Sequence, residues 1–225
     1  MPKLSDKAKI LWTVALCALL MSVVDGVLNP IYPVKAAIKL LVFLGVPLAC
    51  WFRQNPGQLR PLFHWESRGL TGALALGLGV YVLIVGGYFA LRGVFDFSGI
   101  VDQLAAGEGV HAGNFLFVGS YIAVVNSLLE EWFFRGFAWL TLRRVLSPRA
   151  AFCFSAAAFA LYHVGMTSGW FSPVLFVLSL TGLFLGGCLF NLLDRKTGSI
   201  WGGWLVHFCA NAAINTVGCI LMGIF

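Results

Sequence analysis

Charge is what this sequence has least of. Only 11% of its 225 residues are Asp, Glu, Lys or Arg, while 60% are hydrophobic; a water-soluble domain carries roughly 25% charged residues. That scarcity excludes a soluble globular domain and predicts an all-α, polytopic transmembrane helical bundle, with 1–225 as a single integral membrane domain. A basic face with interleaved aromatics is also missing, so the net charge of +6 does not indicate nucleic acid. No C-x-x-C occurs. Cys17, Cys50, Cys153, Cys188, Cys209 and Cys219 lie singly in apolar segments and are expected to be small buried hydrophobes. No A-x-A cleavage site follows the basic start at Lys3, Lys7 and Lys9, which favours an uncleaved first helix over a signal peptide. The G-x-S-x-G elbow and the H-E-x-x-H zinc motif are both absent.

What is present is a set of seven apolar stretches long enough to cross a bilayer: about 9–28, 34–53, 69–92, 114–142, 149–167, 171–193 and 198–222. The cations fall at alternate ends of these spans: Lys3, Lys7 and Lys9; Arg53, Arg60 and Arg68; Arg143, Arg144 and Arg149; Arg195 and Lys196. By the positive-inside rule the N-terminus is cytoplasmic and the C-terminus outside. Lys35 and Lys39 break the pattern and are expected to snorkel to the outer surface. The segment 93–113 carries Asp96, Asp102, Glu108 and His111 without Lys or Arg; it reads as a solvated outer loop, with a lid over a site as the alternative. Gly182-x-x-x-Gly186 and Gly198-x-x-x-Gly202 suggest close helix crossings.

The chemistry is concentrated in Ser127-Leu-Leu-Glu-Glu-Trp-Phe-Phe-Arg-Gly136. Ionisable groups at membrane depth cost a few kcal/mol each by insertion scales, roughly 2.5–3.5 at a helix centre, and mark function by default. Glu131 and Arg135 are spaced i,i+4 with the acid first, the favourable order for a helical ion pair. Glu130 then lies about 100° round the helix with no local cation, on the same face as Asn126. The fifth span reads Phe159-Ala-Leu-Tyr-His163, and the seventh reads His207-Phe-Cys-Ala-Asn211, with Asn215 one turn on. A hydrogen bond to a neighbouring helix would explain either histidine alone. It does not explain a spare carboxylate, two imidazoles and an amide on three spans. Together they suit water activation by Glu130 against a carbonyl, with His207 and Asn211 donating to the oxyanion.

E-E-x-x-x-R, F-x-x-x-H and H-x-x-x-N, in that order on three membrane helices, resemble the motifs of the CPBP family (CAAX proteases and bacteriocin-processing enzymes, also called the Abi family). The region concerned is about 114–215, expected to hold the catalytic helices; spans one to three offer nothing to match. The resemblance implies an intramembrane endopeptidase in which Glu130 activates water, His163 assists, His207 and Asn211 stabilise the oxyanion, and Glu131 and Arg135 support the site. It implies a membrane-anchored or lipidated protein or peptide as substrate, in the lipid bilayer, and the cell membrane of a prokaryote as location. The family is described both as glutamate-dependent and as metal-dependent. A metal-free site is favoured; the alternative is Zn²⁺ held by Glu130, His163 and His207. Rival readings are a non-catalytic immunity or assembly factor of the same fold, and a small transporter.

Overall fold

A computed structural model describes residues 4–65 and 69–225; Lys3 and Arg68, which contribute to the orientation argument, lie outside them. The described residues contain no strand. Seven helices are long and apolar enough to cross a membrane: α1 (Asp6–Leu28), α2 (Tyr32–Phe52), α3 (Leu70–Leu91), α5 (Ala112–Arg144), α6 (Pro148–Thr167), α7 (Pro173–Thr197) and α8 (Trp201–Leu221). The shorter α4 (Ser98–Glu108) sits between α3 and α5. The expected polytopic bundle is therefore observed. Pro148 and Pro173 open α6 and α7 at a position where a missing N–H costs nothing. Gly198, at φ 72°, closes α7 in the left-handed conformation open to glycine.

The centre of the bundle is α5. Its residues Ile122–Asn126 and Glu131–Thr141 are wound as π-helix, on either side of an α-turn at Ser127–Glu130. This winding departs from the regular 3.6-residue period on which the spacing argument rests, and such widened turns recur at functional sites. Side chains within α5, and between it and its neighbours, take up main-chain carbonyls here, as a water-poor interior demands. Ser155 of α6 donates to the Phe134 carbonyl at 2.7 Å, and Thr141 donates to that of Gly136 at 2.9 Å. The indole of Trp139 reaches across to the Asn191 carbonyl of α7 at 3.1 Å. In α2, the Phe43 carbonyl would look four residues on to Pro47, which has no N–H; the Trp132 indole donates to it instead, at 3.0 Å. Phe43 also stacks on Phe133 with centroids 4.1 Å apart. All of Glu131–Thr141 is buried.

Helix approach is set by small residues other than those expected. A side chain at Gly182 or Gly186 would meet open space, so the Gly-x-x-x-Gly spacing there makes no crossing. Neither does Gly198, whose place is the end of α7. Close approaches instead occur where Gly187 meets Ala156, where Gly77 of α3 meets Cys209 of α8, and where Gly26 of α1 meets Gly165 of α6. The reason is rotational: Gly187 is on the buried face of α7, and its neighbours in the motif are not. Cys209 is buried as expected, but Cys153 is exposed on α6.

Two further expectations are corrected. Lys35 and Lys39 do not snorkel; both are buried, at 6% and 7% exposure. The 93–113 segment is not simply solvated, because α4 ends in a buried Glu108 that binds Lys35 at 2.9 Å. Lys35 also lies 3.5 Å from Asp25 and donates to Asn29 at 3.2 Å. A buried ammonium without acids would be prohibitive in this setting, and this triad satisfies it while fastening α4 to α1 and α2.

Candidate active site

Glu130 and Glu131 are successive residues on α5, exposed by 2% and 0%. The helical turn between them sends their carboxylates to different neighbours. Glu131 forms the pair its spacing foretold, with Arg135 Nε 3.3 Å from Oε2. The guanidinium lies between the rings of Phe159 (4.2 Å) and Phe190 (4.8 Å), so its charge is covered by π faces as well as by the acid. The other oxygen of Glu131 is 2.8 Å from His207 Nδ1. Donation from that nitrogen fixes the imidazole of α8 with Nε2 turned inward, the arrangement by which a carboxylate orients a working histidine. Phe190 holds the other side of the ring, stacked at 5.1 Å.

His207 Nε2 stands 3.6 Å from Glu130 Oε2. That separation is beyond a direct hydrogen bond. The two oxygens of Glu130 differ sharply. Oε1 receives Asn126 at 3.0 Å, the Tyr162 hydroxyl at 3.1 Å and the ammonium of Lys39. Oε2 faces His207. Asn126, expected on the Glu130 face, is found there. His163, at the end of the Pro148–Tyr162 helical run, is buried with Nδ1 2.7 Å from the Phe159 carbonyl. Its ring packs edge-on against Tyr162 and Phe159, and Phe159 in turn touches His207. One N–H of Asn211 goes to the Ile122 carbonyl at 3.3 Å; Asn215 donates to the Gly119 carbonyl at 2.7 Å. Both amides of α8 therefore tie it to α5, and Asn211 retains a second N–H.

Two buried ionisable residues close to this cluster were not evident from sequence. Lys39 supplies the cation that Glu130 lacks locally, so α2 does contribute to the site. A signal existed: Lys35 and Lys39 are ionisable residues one turn apart inside an apolar span, and the rule applied to Glu130 applies equally to them. The other is Asp194, fully buried near the end of α7, which accepts the Gly203 N–H at 2.9 Å. It reads in sequence as part of the basic Arg195–Lys196 loop end.

Zn²⁺ on Glu130, His163 and His207 can be tested against these donors. An ammonium already rests on the Glu130 carboxylate, and a divalent ion beside it would meet like charge with little water to screen it. Among the described residues no three His, Cys, Asp or Glu side chains are grouped to hold an ion. The carboxylate of Glu130 thus already has a cationic partner in Lys39. Chemically, the site offers a carboxylate oxygen and an imidazole nitrogen 3.6 Å apart, both on buried side chains.

Comparison with known proteins agrees with the motifs. Residues 112–213 match the family model described as type II CAAX prenyl endopeptidase Rce1-like, a stretch that contains every motif residue from Glu130 to Asn211. The match supports the CAAX-protease resemblance read from sequence. No curated protein and no solved structure matches the chain.

Proposed function

We propose, from the kinship of residues 112–213 with the CAAX-type membrane proteases, that this integral membrane protein is an endopeptidase cutting a membrane-anchored or lipidated protein or peptide. In this reading Glu130 Oε2 takes a proton from water as the water oxygen bonds to the scissile carbonyl carbon. The carbonyl electron pair moves to its oxygen, where the remaining N–H of Asn211 and the Nε2–H of His207, which donates from this nitrogen as well as from Nδ1 only as the imidazolium, stabilise it. Collapse of the tetrahedral species breaks the C–N bond, and the proton held by Glu130 passes to the leaving nitrogen. His163, buried beside Tyr162, assists with Nε2, the nitrogen not bonded to the Phe159 carbonyl. Glu131 and Arg135 hold His207 in place. The reaction proceeds without a metal, because Lys39 serves Glu130 as its cation. The N-terminus faces the cytoplasm.

The observation that carries this reading is the 3.6 Å approach of Glu130 Oε2 to His207 Nε2, both side chains being buried. The test is Glu130→Gln in protein reconstituted in liposomes with a prenylated or transmembrane-anchored reporter peptide, new termini being read by mass spectrometry. Loss of cleavage by about 10²–10⁴-fold, the usual worth of a general base, is expected in a folded variant. A Glu130→Gln protein that keeps its biological effect would instead identify a non-catalytic relative of the same fold.

A further inference from the structure

We infer that Lys39 is a positioning residue for this hydrolysis, deciding which oxygen of Glu130 does the work. The inference rests on the endopeptidase reading and adds to it a residue from α2, outside the matched stretch 112–213. A buried lysine in an apolar span is costly and needs a reason. Here the ammonium sits against Glu130 Oε1, donates to Asn126 Oδ1 at 2.6 Å and to the Tyr162 hydroxyl at 2.5 Å, and lies 4.9 Å from the Tyr162 ring. Asn126 and Tyr162 themselves donate to the same Oε1. Every polar contact of Lys39 therefore converges on one carboxylate oxygen.

This convergence has a chemical consequence. A carboxylate oxygen has room for about two strong donors, and Oε1 has three, one of them charged. It has no lone pair left for water. Oε2 has none of these donors and faces His207. The carboxylate is also held against rotation, since turning it would strip the ammonium of its acid in a medium of low dielectric. Lys39 thereby stands in for the solvation that burial removes, and points a single basic oxygen at the reacting water.

The test is kinetic, in the same liposome assay. Lys39→Gln is expected to lower kcat by about 10²-fold, as misplacement of a catalytic group does, with KM little changed, because Lys39 reaches Glu130 and not the substrate. Lys39→Arg is expected to recover part of the loss, and Tyr162→Phe to show a smaller kcat effect of the same kind. A cycle separates positioning from mere support of the fold: in a Glu130→Gln background, Lys39→Gln should cost nothing further, since residues acting as one unit are not additive. Wild-type kcat in Lys39→Gln, with Glu130→Gln inactive, would overturn the role of Lys39 alone. A rise in KM with kcat intact would overturn it too, placing Lys39 in substrate binding. An active Glu130→Gln would remove the endopeptidase reading itself. Should Lys39→Gln fail to fold, Lys39→Met, of similar length and without charge, decides together with Tyr162→Phe: if both show wild-type kcat, the inference is refuted.

Discussion

Gly203→Ala puts a single methyl group into the polar centre of the bundle. Gly203 is the third residue of α8, and a Cβ there would lie 2.8 Å from Glu131 Oε2, 2.9 Å from Asp194 Oδ2 and 3.1 Å from Asp194 Oδ1. Ordinary contact begins near 3.4 Å, so the Glu131 carboxylate must retreat by about half an ångström. Glu131 is not free to do so, because it is held by His207 at 2.8 Å and by Arg135 at 3.3 Å. Asp194 is likewise tied to the Gly203 N–H. The displacement therefore passes to His207, whose Nε2 faces Glu130. An overpacked core site costs about 1–3 kcal/mol, and alanine in a helix returns about 0.5–1 kcal/mol relative to glycine. The net loss is roughly 0–2.5 kcal/mol. Turnover should suffer more: a 1 Å error in a catalytic constellation costs about 10²-fold, so half that shift predicts roughly a tenfold fall in kcat. Gly182→Ala, whose methyl meets nothing within 4 Å, is the control and should be neutral or slightly stabilising. The assay is peptide cleavage in liposomes alongside thermal unfolding in detergent. If Gly203→Ala matches Gly182→Ala in both, the coupling from Gly203 through Glu131 to His207 is wrong.

Other outcomes follow from the same contacts. Gly165→Ala presses a methyl onto the Ser22 carbonyl of α1; backbone cannot yield as a side chain does, so detergent unfolding should show a loss of at least about 1–3 kcal/mol, against none for Gly186→Ala. Glu108→Ala removes the 2.9 Å partner of Lys35 and should speed amide hydrogen exchange across Ser98–Glu108 while leaving α5 protected; unchanged exchange there would show that the ion pair does not fasten α4. A chelator strong enough to strip zinc should leave cleavage intact, since Lys39 already neutralises Glu130. Inhibition reversed by added Zn²⁺, and by no other ion, would contradict that.

What could be read from the chain in advance was what depends on neighbours in sequence. Bilayer thickness dictates the length of an apolar run, so seven spans were visible within a few residues of their observed limits. One turn of helix brings residues four apart together, so the Glu131–Arg135 pair and the Asn126–Glu130 hydrogen bond were implied by spacing alone. Even the π-winding of Glu131–Thr141 did not undo these, because both pairs lie at or before its first turn. The Gly-x-x-x-Gly motifs misled for the converse reason: spacing shows that small residues share a face and says nothing of which face meets a partner.

Tertiary structure alone decided the rest. Lys39 and Glu130 are 91 residues apart, and His207 and Glu131 are 76 apart; no local rule relates them. In a membrane the apolar faces of helices gain little by choosing one another over lipid, so rotation about each axis is settled by close packing and by the need to satisfy buried polar groups. The sequence by itself determined which charges had to be accommodated within the bilayer. Only the packed bundle determined that the lysine of α2 would answer the glutamate of α5, because a buried charge is held by whichever opposite charge the folded chain can bring within reach.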